Sequence, residues 1–206
     1  MSGRIVIIDY GTGNHFSVQK KLKQLNCEVI TSHDPAEISR ADKLVLPGVG
    51  HFGKAMENLR SLNLTDVLNE QVIQKQKPIL GICLGMQLMA THSEEGDAEG
   101  LQWIEGNIKK FDINDPLLYK VPHTGWNQIE VAKSSPLLHG LSNSSEFYFV
   151  HAYHFHCAHS EDILCYTDYE TRFVSAVQRN NIFGAQFHPE KSHDAGLQLF
   201  KNFIAL

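Results

Sequence analysis

Short apolar runs alternate with longer amphipathic stretches in the first half of the chain. Ile5–Ile8 has the continuous apolar character of a fully buried strand, and a glycine-containing turn at 11–14 follows it. The next stretch carries Val18, Leu22 and Leu25 on one face of a predicted helix. Further strands are predicted at 28–31, 43–46 (ending before Pro47) and 78–82, with a helix at 65–72. This alternation predicts parallel β-α units with helices on both faces of a sheet.

The second half of the chain predicts strands with few helices between them. They are expected at 126–131, 147–150, 163–166, 173–177 and 182–187. Arg179-Asn180-Asn181 suits a hairpin turn between the last two strands. After Asp194, apolar residues recur at i, i+4 and predict a closing helix. The two halves together predict one α/β domain over residues 1–206 with a mixed sheet.

Composition narrows the class of protein. The chain has 206 residues, 42% of them hydrophobic, and 18 basic against 23 acidic residues, a balance that argues against a general nucleic-acid or membrane-surface binder. The four cysteines form no CxxC pair, which favours free thiols in a reducing cytoplasm. Four histidines lie close together at 151–159, but in an aromatic stretch without metal-ligand spacing. We therefore expect no metal and no cofactor.

One cysteine lies in a motif that favours nucleophilic chemistry. Gly81-Ile82-Cys83-Leu84-Gly85 separates a predicted strand from a predicted helix and has the G-x-C-x-G form of a nucleophile elbow. The glycines relieve the crowding of such a tight turn, and the start of the helix favours the thiolate. The backbone amide of Leu84 would then point toward a developing oxyanion. The alternative, a buried core cysteine, is our interpretation of the other three cysteines.

A histidine and a carboxylate near the C-terminus can complete this chemistry. The last predicted strand leads into His188-Pro189-Glu190, and residues i and i+2 of an extended segment face the same side. Pro189 marks the end of the strand, where active sites of α/β folds collect. His188 can accept the thiol proton, and Glu190 can orient and stabilise its imidazole. The other histidines, taken singly, are interpreted as structural or surface residues.

Two motifs in this order, GICLGMQ and QFHPE, resemble the signatures of the class I (triad) glutamine amidotransferases. Supporting segments span nearly the whole chain: DYGTGN at 9–14, PGVG at 47–50, HTGWN at 123–127 and YFVH at 148–151. The resemblance implies a three-layer, flavodoxin-like α/β fold with a mixed, largely parallel central sheet. It also implies a glutaminase that uses a triad of Cys83, His188 and Glu190.

The resemblance implies roles for further residues. The oxyanion hole is expected to involve Val49, Gly50 and Leu84. Glutamine is expected to be held by Gly48, Gln87, Glu95, His151, Ala152 and Tyr153. A partner interface, where ammonia is transferred, is expected to include Asn14, Trp126, Tyr148 and Lys191. Trp126 and Tyr148 could instead be core aromatics, Lys191 a solvated charge and Gln87 a capping amide.

The PGVG and HTGWN segments resemble one subgroup of the family. In it, a glutaminase subunit delivers ammonia to a synthase (cyclase) subunit with a TIM-barrel fold. That partner makes imidazole glycerol phosphate and an aminoimidazole carboxamide ribonucleotide in histidine biosynthesis, and we expect the same heterodimer here. Two alternatives stay open: a paralogous glutaminase that supplies ammonia for amidation of a sugar in surface-polysaccharide synthesis, and a catalytically silent regulatory subunit.

Overall fold

The computed structural model describes residues 3–206, so Met1 and Ser2 of the predicted domain lie outside the described residues. Within that range the strands are β1 Ile5–Ile8, β2 Val29–Ser32, β3 Lys43–Gly48, β4 Ile79–Cys83, β5 His92–Ser93, β6 Ala98–Glu99, β7 Gly106–Lys110, β8 His123–Gln128, β9 Glu130–Val131, β10 Glu146–His151, β11 Tyr153–Cys157, β12 Ile163–Tyr169, β13 Thr171–Arg179 and β14 Ile182–Ala185. The α-helices are α1 His15–Lys23, α2 Pro35–Arg40, α3 Phe52–Ser61, α4 Leu64–Asn69, α5 Leu84–Gln87 and α6 His193–Ala205. A π-helical turn, Glu70–Gln74, continues α4.

A large mixed sheet forms the middle layer. Over the described residues its order is β2-β1-β3-β4-β14-β13-β11-β7-β5-β6, with β12 beside β13 and β9 beside β12. The first five strands of this order pair in parallel, and β13 pairs antiparallel to β14 through the predicted turn at Asn180 and Asn181. β8 and β10 form a separate antiparallel pair. The predicted mixed α/β sheet is confirmed.

Two apolar cores lie on opposite faces of the sheet. Successive side chains of β1 point alternately into the two cores: Val6 and Ile8 lie in one core, and Ile5 and Ile7 lie in the other. The first core holds the apolar faces of α2, α3 and α4, and the second holds those of α1 and α6. This arrangement is the predicted three-layer fold. No helix within residues 3–206 is long and apolar enough to cross a membrane.

The structure corrects several predicted boundaries. β3 continues through Pro47 to Gly48, where we expected it to stop at 46. β3 pairs with β1 only as far as Val45. Pro47 therefore has no β1 residue opposite it, and its missing N–H costs no hydrogen bond to that strand. The predicted strand at 126–131 is two strands, β8 and β9. The helices α2 and α3 were not predicted, although α2 begins with an Asp34 N-cap and a proline, a recognisable start signal.

Candidate active site

Three neighbouring parallel strands end at one edge of the sheet. β3 ends at Gly48, β4 at Cys83 and β14 at Ala185, in the order β3-β4-β14. In this register Gly48 lies opposite Cys83, and Ala185 lies opposite Ile82. Ligands of α/β proteins bind at the carboxyl ends of such strands. The sheet therefore brings the loop after β3, the elbow cysteine and the segment leading to His188 together.

The elbow between β4 and α5 holds Cys83 in a strained conformation. Its φ of 54° and ψ of −111° lie where residues other than glycine are rarely found. The flanking glycines permit this tight turn. A Cβ on Gly85 would lie 1.7 Å from the carbonyl oxygen of Leu46, and one on Gly81 would lie 2.7 Å from that of Gly85. Cys83 is only 6% exposed, so its sulfur lies within an enclosed site.

His188 and Glu190 form a buried pair. The Nδ1 of His188 lies 2.8 Å from Oε1 of Glu190, and both side chains are almost completely shielded from solvent. The carboxylate accepts a hydrogen bond, so Nδ1 carries the hydrogen and Nε2 is directed elsewhere. The extended geometry that we predicted for this pair is wrong. β14 ends at Ala185, and Pro189–Lys191 is a 3-10 turn that brings the two side chains together.

The surroundings of His188 favour its protonated form. Burial alone would lower the pKa of His188, but hydrogen bonding and charge from Cys83 and Glu190 outweigh burial and raise it to about 9. Nε2 nevertheless makes no hydrogen bond of good geometry within residues 3–206. The sulfur of Cys83 therefore acts on His188 through its charge in this structure. Nε2 is the nitrogen placed to exchange a proton with Cys83.

The sulfur of Cys83 has two further polar neighbours. It lies 3.8 Å from the carbonyl oxygen of Val150, to which the thiol can donate. The amide Nε2 of Gln186 donates toward it over 3.7 Å. Gln186 belongs to the QFHPE motif, but our sequence reasoning gave it no role. Its position two residues before His188 and one residue beyond β14 was the available signal.

A cavity of about 370 Å³ opens beside Cys83. Its lining is Val49, Gly50, Cys83, Leu84, Gln87, Glu95, Pro122, Val150, His151, Ala152 and Tyr153. Every residue predicted for the oxyanion hole lines it, as does every residue predicted for glutamine binding except Gly48. Gly48 lies deeper, where an added Cβ would be 2.3 Å from the hydroxyl of Tyr10.

Two polar side chains of the cavity are fixed by contacts to the backbone. Oε2 of Glu95 accepts a hydrogen bond from the amide of Phe52 at 2.8 Å, at the start of α3. Nε2 of Gln87 donates to the carbonyl oxygen of Tyr153 at 2.9 Å and to Oε1 of Gln186 at 2.9 Å. Each of the two cavity side chains keeps another oxygen for a ligand. A bound molecule with ammonium or amide hydrogens would match these acceptors.

Tyr10 anchors the end of β3, from which the loop at Val49 and Gly50 leaves. The hydroxyl of this buried side chain donates to the carbonyl oxygen of Pro47 at 2.8 Å. Burial raises the pKa of Tyr10, which keeps the hydroxyl a donor. Beyond this anchor, Gly50 has a φ of 104° and the side chain of Val49 is exposed. The loop is fixed at one end and open at the other.

Buried histidines lie behind the cavity. Nδ1 of His151 lies 2.8 Å from the carbonyl oxygen of Tyr153, and its Nε2 lies 3.2 Å from Nδ1 of His123. Burial lowers the pKa of His123 to about 4 and the pKa of His151 well below its ordinary value. His154, stacked on Phe111, also has its pKa lowered to about 4, mainly by burial. These neutral rings are part of the packing, as we interpreted them from the sequence for His123 and His154.

Three of the residues predicted to face a partner lie together. Trp126 of β8 and Tyr148 of β10 have ring centroids 6.1 Å apart, and Nζ of Lys191 lies 5.3 Å from the Tyr148 ring. Trp126 is 46% exposed and stacks on His193 at 4.9 Å. Asn14 caps the start of α1 by accepting from the amide of Ser17. Its helix packs near the 3-10 turn at Pro189–Lys191.

Backbone contacts tie this surface to the triad. The amide of His188 donates to the carbonyl oxygen of Tyr148 at 2.8 Å. In return, the amide of Tyr148 donates to Oγ of Ser192 at 3.0 Å, and that hydroxyl donates to the carbonyl oxygen of His188 at 2.6 Å. β10 is therefore bonded directly to the segment that carries His188.

Comparison with known proteins gives a consistent picture. Residues 6–206 match the family described as glutamine amidotransferase class-I. The chain is 48% identical over 202 residues to imidazole glycerol phosphate synthase subunit HisH 2 of Pseudomonas aeruginosa, covering 98% of this chain and 99% of that protein. It is 46% identical over 200 residues to the subunit HisH 2 of Methanococcus maripaludis, covering 97% and 98%.

Solved structures show the same fold at lower identity. A putative GMP synthase protein from Thermoplasma acidophilum aligns with a TM-score of 0.74 and 21% identity, covering 100% of this chain and 94% of that one. The glutaminase domain of a Trypanosoma brucei CTPS aligns with a TM-score of 0.69 and 18% identity, covering 98% and 93%. At such identities the likeness concerns the fold alone.

Proposed function

The chain belongs to the class-I glutamine amidotransferase family, and from this premise we propose that Cys83, His188 and Glu190 hydrolyse glutamine to glutamate and ammonia. The observation that carries the proposal is the strained elbow cysteine, which lines a cavity and lies beside a buried His188–Glu190 pair. The nucleophile, the base and the group that orients the base are the components of a catalytic triad. Residues 1–206 would form the one domain that carries this activity.

The first half of the cycle forms a thioester. The thiol proton of Cys83 passes to Nε2 of His188 before attack, as the raised pKa of that ring favours, and the resulting thiolate attacks the side-chain carbonyl carbon of glutamine. The resulting oxyanion is held by backbone amides of Leu84 and of the Val49-Gly50 segment. The imidazolium then gives the proton to the leaving nitrogen, the C–N bond breaks, and ammonia departs. Glu190 holds Nδ1 throughout and balances the charge of the ring.

The second half of the cycle regenerates the thiol. His188 takes a proton from a water molecule, whose oxygen attacks the thioester carbon. The same amides hold the second oxyanion, the C–S bond breaks, and the sulfur regains its proton from His188. Glutamate is the product. The strained φ of Cys83 supports this scheme because it presents the sulfur to the cavity at both attacks.

The cavity lining suggests how glutamine is held. Oε1 of Glu95 and Oε1 of Gln87 are the acceptors left free for its amino group or amide hydrogens. Gly48 and the backbone of His151, Ala152 and Tyr153 would bind the remainder of the molecule. Such contacts would direct the side-chain amide of glutamine to Cys83, which lines the same cavity.

The ammonia is delivered to a partner subunit. Relatives of this chain are subunits of imidazole glycerol phosphate synthase, so a second subunit is implied. We propose a TIM-barrel cyclase that docks over Trp126, Tyr148, Lys191 and Asn14 and makes imidazole glycerol phosphate in histidine biosynthesis. Ammonia released into water at neutral pH becomes unreactive ammonium, so direct transfer preserves its reactivity. The relatives favour this acceptor over a surface-polysaccharide sugar.

Replacing the nucleophile tests the proposal in the two-subunit complex. Cys83→Ala is expected to abolish synthesis from glutamine, because no thioester can form, while synthesis from added ammonium salts continues. Cys157→Ala is the matched control, because burial raises the pKa of Cys157 to about 12 and keeps it a thiol. Glutaminase activity remaining in Cys83→Ala would refute the proposed nucleophile. Absence of glutaminase activity in the unmodified complex would indicate a silent regulatory subunit.

A further inference from the structure

A fully buried amide side chain contacts the sulfur of Cys83. Gln186 is 0% exposed, and its Nε2 lies 3.7 Å from the Cys83 sulfur. The amide Nε2 of Gln87 lies 2.9 Å from Oε1 of Gln186. This residue is not a member of the triad and does not line the cavity. Its contact with the reacting sulfur requires a separate explanation.

The hydrogen-bond network leaves only one orientation for the Gln186 amide. The carbonyl oxygen of Tyr153 can only accept, so the Gln87 atom 2.9 Å from it must be the nitrogen. The second hydrogen of that nitrogen points at Gln186, so the Gln186 atom there must be the oxygen. A flipped Gln186 would place two N–H groups against each other. The Gln186 nitrogen must therefore face the sulfur.

Buried histidines fix the far end of the same network. The carbonyl oxygen of Tyr153 also accepts from Nδ1 of His151 at 2.8 Å. With its hydrogen on Nδ1, the neutral ring of His151 accepts at Nε2 from Nδ1 of His123 at 3.2 Å. Burial lowers the pKa of both rings, so neither becomes charged at neutral pH. Every bond in the chain from His123 to the sulfur thus has a defined direction.

We propose that Gln186 stabilises the Cys83 thiolate by donating a hydrogen bond from Nε2 to Sγ, and that Gln87 and Tyr153 hold it in this orientation. The inference rests on the proposed glutaminase chemistry, in which that thiolate attacks. A donor aimed at an ionisable group favours its charged form, and an acceptor favours the protonated form. The sulfur contacts one such donor, Gln186, and one such acceptor, the carbonyl oxygen of Val150 at 3.8 Å. The charge of His188 also favours the thiolate, and loss of Gln186 removes only the amide donor while leaving His188 and the Val150 acceptor in place.

The test measures how fast iodoacetamide alkylates Cys83 at each pH in the full chain, followed by mass spectrometry of the Cys83 peptide. Only the thiolate reacts, so the midpoint of the rate against pH reports its formation. Gln186→Met keeps the size of the side chain and removes the donor, and we expect the midpoint to rise by about one pH unit. The control is Gln71→Met, which removes another fully buried glutamine, bonded to Ser39 and outside the cavity lining. It is expected to leave the midpoint unchanged.

A second variant keeps the inference testable if Gln186→Met does not fold. Gln186→Glu retains the oxygen that accepts from Gln87 but presents a carboxylate to the sulfur, and the midpoint is expected to rise further. An unchanged midpoint in a folded variant, with a circular dichroism spectrum like that of the unmodified chain, overturns the inference. This readout needs no glutamine. The glutaminase proposal therefore stands or fails separately on Cys83→Ala.

Discussion

Replacing Glu190 with glutamine removes one negative charge from the buried pair while keeping the shape of the side chain. The 2.8 Å bond from Nδ1 of His188 can still form to the amide oxygen, but it is no longer assisted by charge. The pKa of His188, raised from 6.5 to about 9 in the native protein, is expected to fall. Glutaminase activity should fall with it, because Glu190 stabilises the imidazolium that forms during attack.

The size of the effect follows from the same bond. A pKa raised from 6.5 to about 9 corresponds to about 3 kcal/mol in favour of the imidazolium, at about 1.36 kcal/mol per unit. Cys83 and Glu190 share this stabilisation. A hydrogen bond to a charged group contributes about 1.5–3 kcal/mol, so Glu190→Gln should lower kcat about 10- to 100-fold.

The pH dependence gives a second measurement of the same change. Because the pKa of folded His188 lies above 6.5, the stability contributed by its protonation is complete below that pH and is lost as pH rises through about 9. In Glu190→Gln, the pH at which this stability is lost should move toward 6.5, as measured by thermal unfolding. The pH at which kcat falls on the alkaline side should move in the same direction.

The assay is release of glutamate by the two-subunit complex at saturating glutamine, from pH 6 to pH 10. The matched control is Glu105→Gln. Glu105 also pairs with a histidine, His159, at 3.0 Å, but both side chains are exposed. Exposed pairs contribute about 0–1 kcal/mol, so this control should keep full activity. If Glu190→Gln kept kcat within twofold and the same alkaline limb, the assigned role of Glu190 would be wrong.

Two further predictions concern folding and assembly. Gly85→Ala places a Cβ 1.7 Å from the backbone oxygen of Leu46 and should cost at least about 3 kcal/mol in the free energy of unfolding, measured by urea denaturation. In the control Gly53→Ala, the nearest atom is 3.4 Å away and the change should be within about 0.5 kcal/mol; equal stabilities would contradict the crowding argument. Trp126→Ala should weaken association with the partner by about tenfold or more in calorimetric titration. The control Ile73→Ser, at an exposed apolar residue beside the opposite end of β4, should leave association with the partner unchanged. A Trp126→Ala variant with unchanged Kd would exclude this surface as the partner interface.

The sequence predicted the parallel half of the fold from simple periodicity. Fully buried strands such as β1 are continuous apolar runs, and the glycines around Cys83 indicate an elbow from the order of residues alone. The family, the fold class and the glutaminase function are confirmed by the comparisons. The roles assigned to single site residues stay predictions.

The helices α2 and α3 were missed although local sequence carried signals for both. α2 has its Asp34-Pro35 start, and α3 buries apolar residues at helical spacing, such as Phe52, Met56 and Leu59. Other features were not available from local sequence, such as the bond from the Phe52 amide at the start of α3 to Glu95, 43 residues away. The 3-10 turn that joins His188 and Glu190 is set by packing after β14 and not by strand alternation. Gln186 and His123 have roles only through partners distant in sequence. Motif reasoning identifies the candidate reacting groups, whereas the residues that hold them in place depend on tertiary structure.

Along β8, exposed side chains alternate with less exposed ones, so one face of the strand is available to a partner while the other packs against the protein. Thr124, Trp126 and Gln128 are exposed, whereas His123 is buried against His151. Exposed positions can change to suit a different synthase without disturbing the interior. His123 is constrained, because it is buried and bonded to His151 in the same network as Gln87 and Gln186. An engineer who wished to redirect this ammonia source to a new acceptor enzyme should therefore vary every second residue of the strand and leave the residues between them unchanged.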